Sequence, residues 1–289
     1  MQPFIYARPA TVAEAIAILQ EHGPDARVLA GGTDLIIRLR DRSVRPTVVV
    51  DVKRIAELDP AILEVDGRLR IGATTVMTDI VADERVQRRF PALVEAAAVV
   101  GSVQIRNRAT LAGNLCNASP AADTAPALLV YGADVVAAGP SGTRRIPLTD
   151  FFVRSGQTTL ARGELVTAIE LPLPARPTGS AHVRRTRRRG HDLASVTLAV
   201  AIDDTGRTRL AYGSVGPRPV LVVDDSGVLA DRHAADADRT AVLDRLLVDA
   251  SPSPRSMRAG PEYRLAMLRV LAVRAVRTAL DRLAGGAAA

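Results

Sequence analysis

The sequence predicts an α+β protein: a small βαβ unit, then an antiparallel sheet with helices, then a smaller C-terminal domain of antiparallel sheet and helices. Three observations carry this. The continuous apolar run Thr47-Val48-Val49-Val50-Asp51 follows a helix pattern and a short strand, the order that builds buried parallel pairing. Beyond residue 60, apolar runs come in pairs around tight glycine turns, Asp66-Gly67 and Gly139-Pro140-Ser141-Gly142, which is hairpin chemistry. Pro172, Pro174 and Pro177 with Gly179 then separate these from another antiparallel pair and a long amphipathic helix. Parallel pairing followed by hairpins is not the pattern of a doubly wound sheet.

Taken in order, Thr11-Val12-Ala13-Glu14 reads as a capping box, with Glu14 reaching back to the free N–H of Thr11. Val12, Ile16 and Leu19 share the face of the helix that follows, and Gly23-Pro24 ends it. Arg27 to Ala30 is a strand running into the loop Gly31-Gly32-Thr33-Asp34; a helix starts at Asp34-Leu35, and Pro46 resets the chain. Ile62–Val65 and Arg68–Ile71 flank Asp66-Gly67, a pair suited to a type I′ turn. Thr78–Arg89 and Pro91–Val100 read as helices, the second stopped by Gly101. The stretch Arg106–Asp123 reads as a polar loop, and a short helix follows near Asp123 to Tyr131. Asp134–Ala138 and Arg144–Pro147 form the second hairpin, and Leu165–Leu171 is a further strand. After the prolines, Leu193–Ile202 and Thr208–Ser214 pair around Asp203-Asp204-Thr205-Gly206. Residues 237–250 are helical, and 251–260 are a loop. A helix runs from Pro261 to Leu283 with Leu265, Leu268, Ala272, Val276, Leu280 and Leu283 on one face. The division predicted is a domain at 1–173, with subdomains of about 1–56 and 57–173, a second domain at 178–284, and a frayed tail at 285–289.

Composition excludes several function classes. No segment approaches the roughly 18 uninterrupted apolar residues of a membrane span. Met1 to Tyr6 lacks the basic and then apolar regions of a signal peptide, so a cytoplasmic location is expected. The single cysteine, Cys116, allows neither an internal disulfide nor a cysteine cage for zinc or iron–sulfur. The net charge of +7 is carried almost wholly by arginine, Lys53 being the only lysine. Without Trp and with 3% aromatics, the chain lacks the stacking platforms of a nucleic-acid binder. The run Arg184-Arg185-Thr186-Arg187-Arg188-Arg189 reads either as a solvated face or as a contact for a phosphate-bearing ligand or an acidic partner.

The least core-like stretch is Arg106–Asp123, rich in small residues, hydroxyls and Asn. Small residues let a backbone approach a ligand, and the N–H groups of such turns cradle anions. With Ala30-Gly31-Gly32-Thr33-Asp34 it makes two loops of this kind, which suggests a ligand with a pyrophosphate at its middle. Gly31-Gly32 lacks the third glycine of G-x-G-x-x-G, so a Rossmann site is disfavoured. Asp123 reads equally as a helix N-cap or as an acceptor for ligand hydroxyls. His22, His182, His191 and His233 have no metal-ligand spacing and read as structural or surface residues. Cys116 reads as a buried, inert thiol, with a thiol beside a redox cofactor as the alternative.

Two motifs, Ala30-Gly31-Gly32-Thr33-Asp34-Leu35 and Gln104-Ile105-Arg106-Asn107-Arg108-Ala109-Thr110-Leu111-Ala112-Gly113-Asn114, carry a family resemblance. The continuation Ala118-Ser119-Pro120-Ala121-Ala122-Asp123, the segment Arg188-Arg189-Gly190-His191-Asp192-Leu193-Ala194 and Pro261-Glu262-Tyr263-Arg264 extend it along nearly the whole chain. In these motifs the sequence resembles the FAD-binding (medium) subunits of the xanthine dehydrogenase and aerobic carbon monoxide dehydrogenase, or molybdenum hydroxylase, family. The resemblance implies non-covalent FAD. It places Val28, Leu29, Ala30, Gly31, Gly32, Thr33, Asp34 and Leu35, with Thr110, Leu111, Ala112, Gly113 and Asn114, in two loops around the pyrophosphate. Asp123 is then implied on the flavin's sugar or ribityl portion, and Leu165 or Val166 beside the cofactor. Arg184 stands where many relatives have a lysine contacting FAD, a change that keeps the charge and alters the geometry. His191 falls near the expected flavin ring. The resemblance implies no acid, base or nucleophile in this chain. Molybdopterin and [2Fe–2S] clusters are implied only in partners, a small and a large subunit, in a dimer of heterotrimers. The basic run and the helical stripe at 261–283 become candidate partner surfaces, with core packing the favoured role of the stripe. A stand-alone FAD oxidase or dehydrogenase of related fold, and a basic nucleic-acid-binding module, are the competing readings.

Overall fold

The computed structural model describes residues 2–188 and 190–286. It opens with β1 (Ile5–Ala7), α1 (Val12–His22), β2 (Ala26–Leu29), α2 (Leu35–Arg40) and β3 (Val48–Asp51). The sheet is parallel with order β1-β3-β2. The expected unit had only β2 and β3; β1 joins it because three residues after Pro3 are too short to show a period. With neighbours on both sides, β3 is buried at every position, as its unbroken Val run foretold. Thr11 caps α1 by accepting from Glu14 N at 3.1 Å, while Glu14 takes the N–H of Ala10, not that of Thr11, at 2.7 Å.

The middle of the chain forms β4 (Ile62–Val65), β5 (Arg68–Gly72), α3 (Met77–Ala82), α4 (Glu84–Arg89), α5 (Pro91–Ala98), α6 (Val103–Arg106), α7 (Leu111–Cys116) and α8 (Thr124–Val130). It continues as β6 (Asp134–Gly139), β7 (Gly142–Pro147), α9 (Leu148–Phe151), β8 (Phe152–Arg154), β9 (Gln157–Thr158) and β10 (Leu165–Pro172). Its five-stranded sheet is antiparallel, order β4-β5-β10-β6-β7. Asp66 and Gly67 have φ of 49° and 71°, the left-handed pair that a type I′ turn requires. The helix expected over 78–89 breaks at Asp83, whose carboxylate accepts from the N–H groups of Arg85 and Val86 and so starts a new helix. The supposed loop 106–123 contains α7 complete.

Last come β11 (Thr178–Arg185), β12 (Val196–Asp203), β13 (Thr208–Gly213), β14 (Val220–Asp224), α10 (Asp236–Leu246) and α11 (Pro261–Gly286). The strands form an antiparallel meander in sequence order. Only β12 and β13 were expected from the pattern. The segment β11 hides its strand character because Ser180, His182 and Arg184 alternate with small residues. It is nonetheless covered on both faces, by α11 and by α5. The close approach of α11 explains Gly179, where an added Cβ would lie 1.9 Å from the carbonyl oxygen of Ala279. Leu268, Ala272, Val276 and Leu280 are buried against this sheet, so the stripe packs in the core, the role its spacing favoured over a partner surface. The helix runs on through Gly285 and Gly286, past the expected frayed start of the tail; 287–289 lie outside the described residues.

The C-terminal sheet is joined to the middle one by polar contacts. The Tyr131 hydroxyl accepts from Ala92 N at 3.1 Å and lies 2.5 Å from Ser180 Oγ. Glu95 accepts from His182 N at 2.8 Å and from Arg282 at 2.5 Å. These contacts fix the register of β11 over α5 and α8, and that register places the next residue on the same face, Arg184.

Candidate cofactor site

Gly31 and Gly32 leave β2 in a loop that lies directly on the other glycine-rich segment. A Cβ on Gly31 would lie 2.0 Å from the carbonyl oxygen of Arg108, so the two loops meet backbone to backbone. Gly32, at φ 77°, makes the left-handed turn into α2. Across from it, Thr110 is the N-cap of α7 and accepts from Gly113 N at 3.0 Å. Backbone bonds from Met77 N to Ala109 O (2.9 Å) and Leu111 N to Thr75 O (3.3 Å) anchor this segment to the middle domain. Asn114 accepts from Thr124 Oγ1 at 2.7 Å, which ties α7 to the start of α8 and hence to Asp123.

Asp123 occupies the N-cap position of α8 but makes no capping bond. Its side chain turns instead to Arg184, whose Nη1 donates to Oδ2 at 2.7 Å. The two candidate residues, 61 positions apart, are thus brought together. Asp123 is 7% exposed, and its Oδ1 has no hydrogen-bond donor among the described residues. The nearest basic atom is His182 Nε2 at 3.8 Å, and that nitrogen is 2.9 Å from Thr197 Oγ1. Burial pushes the Asp123 carboxyl above its ordinary range, with the Arg184 charge, the Arg184 hydrogen bond and the nearby Thr197 hydroxyl opposing the rise. Burial, aided by the Arg184 charge, pushes His182 down to about 3, so its imidazole is neutral and offers Asp123 no counter-charge. One carboxylate oxygen is held by arginine; the other is a buried acceptor with its bond unmade.

Leu165 and Val166 lie on β10, each 5% exposed, and α7 packs on that strand. Leu111 and Ala112 are equally buried, so their side chains belong to the core and only their backbone is offered to a ligand. Asp34 is exposed and makes no capping bond to α2. Cys116 is exposed as a residue in the last turn of α7, against the expected burial, but desolvation of its thiol pushes it up to about 12, which keeps it inert as expected. The basic run is not a uniform solvated face: Arg184 binds Asp123, Arg185 donates to Tyr263 Oη at 2.9 Å, and Arg187 binds Asp192 at 2.8 Å. Arg189 lies outside the described residues. Sequence reasoning missed His182 and Thr197, which back Asp123; only the β11–β12 pairing, in which His182 faces Ala199 and Arg184 faces Thr197, reveals them. A cavity of about 290 Å³ lies elsewhere, under the 172–178 connection, lined by Tyr131, Leu173, Arg176, Arg207 and Arg209.

Two buried neighbours of Asp123 show local strain. Ala118 and Ser214 have φ of 46° and 67°, uncommon for residues with a side chain. Ser214 donates its N–H to Pro120 O at 2.6 Å and its hydroxyl to Ala194 O at 2.8 Å, pinning the 118–123 segment to the end of β13.

The family profile described as the FAD binding domain in molybdopterin dehydrogenase matches residues 2–174, and that of the CO dehydrogenase flavoprotein C-terminal domain matches 181–279. The chain is 34% identical over 286 residues to the xanthine dehydrogenase FAD-binding subunit of Escherichia coli O157:H7, covering 97% of each chain. It is 32% identical to the carbon monoxide dehydrogenase medium chain of Hydrogenophaga pseudoflava, covering 97% of this chain and 98% of that one. A solved structure of carbon monoxide dehydrogenase from that organism superposes with a TM-score of 0.89 at 31% identity, covering 98% of this chain and 99% of that one. The fold and site define a flavoprotein component of an oxidoreductase. The chain belongs to the family of FAD-binding subunits of xanthine and carbon monoxide dehydrogenases.

The residues present fit FAD. The loops at 30–34 and 110–114 are the small-residue backbone that a pyrophosphate needs. The unmade bond of Asp123 Oδ1 suits a ribityl or ribose hydroxyl, a donor that can enter a buried site without adding charge.

Proposed function

We propose that this chain is the electron-transfer subunit of a molybdenum-containing hydroxylase, binding FAD non-covalently and passing electrons from an iron–sulfur partner to an external acceptor. The observation that carries the cofactor's placement is the buried, half-satisfied carboxylate of Asp123, held by Arg184 beside two touching glycine-rich loops. In this reading Val28 to Leu35 and Thr110 to Asn114 enclose the pyrophosphate. Asp123 holds a flavin hydroxyl, Leu165 or Val166 borders the cofactor, and Arg184, paired with Asp123, contacts FAD. FAD supplies a centre that accepts electrons singly and releases them as a pair. The protein's part is to bind, orient and screen it. Asp123 and Arg184 neutralise one another, so the site holds its polar ligand without a net buried charge. The domain division proposed is 1–173 and 178–284.

The partner reading rests on chemistry absent from this chain. One cysteine cannot ligate an iron–sulfur cluster, and among the described residues no group of three His, Cys, Asp or Glu could hold a metal. Relatives are named as a FAD-binding subunit and a medium chain, names that belong to multisubunit enzymes; the partners proposed for this chain are a small iron–sulfur subunit and a large molybdopterin subunit, in a dimer of heterotrimers. No described helix is long and apolar enough to cross a membrane. The test is spectroscopic. Purified chain should show flavin absorbance that acid precipitation releases, and should be reduced by a reduced iron–sulfur partner but not by an organic substrate alone. A folded chain that rejects added FAD, or one reduced directly by an organic substrate, overturns the proposal.

A further inference from the structure

The cofactor site leaves Pro261-Glu262-Tyr263-Arg264 without a role, and its arginine sits in a costly position. Arg264 is 3% exposed. Its Nε donates to Ser195 O at 3.0 Å, but Nη1, shut off from solvent, finds no acceptor among the described residues. Arg258, half-buried beside it, donates Nη1 to Ala194 O at 2.9 Å. The carboxylate of Asp192 is near enough to be felt by Arg258, yet it is bound to Arg187 at 2.8 Å. Burial holds both guanidinium groups below their ordinary range, aided at Arg258 by the Arg187 charge against the opposing pull of Asp192, and at Arg264 by the Arg258 charge. The first turn of α11, where Arg264 lies, adds the positive end of a 26-residue helix. One backbone carbonyl answers each guanidinium, but Arg264 Nη1 is left without an acceptor and no carboxylate among the described residues pairs with either arginine, and a buried cation without a paired counter-charge is destabilising.

We propose that Arg258 and Arg264, against the Ala194 and Ser195 carbonyls, form a binding site for a small inorganic oxyanion of the phosphate type. The unpartnered Nη1 of Arg264 supplies the inner donor. Arg258, half-exposed, supplies the outer donor and the way in from solvent. Because the same two side chains hold the carbonyls of Ala194 and Ser195, a bound anion braces the entry to β12. The site is separate from the flavin reading and stands or falls without it.

Inorganic phosphate is the probe, titrated into the full chain at constant ionic strength with gluconate as the replacing salt. Thermal unfolding is followed with and without saturating FAD, since the glycine-rich loops also suit phosphate. A saturable rise in Tm is expected in both states, and equally in Arg255→Gln, an exposed control. Arg258→Gln, which spares the buried Arg264, should need about tenfold more phosphate for the same rise, the loss of one charge-assisted hydrogen bond. No rise, a rise unchanged in Arg258→Gln, or a rise confined to the FAD-free chain overturns the proposal. A chain that rejects FAD but keeps an Arg258-dependent rise removes the flavin reading and leaves this one standing.

Discussion

At the residue scale, the site turns on which of two chemistries Asp123 serves. Its position at the start of α8 suits a cap, but its φ of −65° and ψ of −34° are already helical, and the side chain is drawn to Arg184. Asp123→Asn keeps the shape and weakens the acceptor, so FAD affinity is expected to fall about tenfold to a hundredfold, as for a hydrogen bond to a charged group. Fluorescence titration with far-UV dichroism as a folding control measures it; unchanged affinity would remove Asp123 from the site. Affinity should also weaken in acid, because burial raises the Asp123 carboxyl and its protonation removes the charge that the ligand hydroxyl meets. Glu170, 3% exposed in the central strand β10, behaves oppositely. Burial disfavours its charge, but hydrogen bonds from Arg145 at 2.7 Å and Arg70 at 2.6 Å more than offset this and hold it below its ordinary range. A depressed carboxylate contributes stability above its unfolded pKa of about 4.3, and that contribution is lost as pH falls through the folded value. Glu170→Gln should therefore cost about 2 kcal/mol at pH 7, discounted for arginine ends that remain in water, and much less near pH 3. Urea unfolding at the two pH values decides it.

At the element scale, the glycine-rich loops act through backbone proximity. Gly31 is needed less for its dihedral angles than for the space its missing Cβ leaves to Arg108 O. Gly31→Ala should separate the loops and reduce FAD binding at least tenfold. The hydrophobic core, built from β3, β5 and β10, should still unfold cooperatively. Retained FAD affinity in a folded Gly31→Ala chain would show that the loops need not touch. The helix expected over 78–89 and the loop expected over 106–123 were misread for one reason. Short polar side chains, Asp83 and Thr110, start new helices by capping, and spacing alone does not distinguish a cap inside a helix from a cap that divides two.

At the scale of the whole molecule, the site exists because the C-terminal sheet delivers Arg184 to Asp123. That delivery depends on β11 being held over α5 and α8, where Tyr131 bridges Ala92 N and Ser180 Oγ. Tyr131→Phe strands a buried N–H and should cost about 1–3 kcal/mol in urea unfolding, with weaker FAD binding as the second readout. An unchanged midpoint would show that the two sheets are held by apolar packing alone. The α+β class, the hairpins, the two glycine-rich loops and the long C-terminal helix were legible in the sequence, because turn chemistry and apolar period are local properties. The motifs at 30–35 and 104–114 carried the family as well. Strand β11 was not legible: both of its faces are covered, one by α11 and one by α5, yet Ser180, His182 and Arg184 alternate only with the small Gly179, Ala181 and Val183, so no strongly apolar face marks it. Nor was the turning of Asp123 from its cap position to Arg184, or the place of His182 and Thr197 behind it. Those depend on pairing between residues 61 and 15 positions apart, which a one-dimensional pattern does not contain. The sequence by itself determined the elements and the chemistry available to them; the tertiary structure decided which buried charge is paired, because only packing fixes who shares a face with whom.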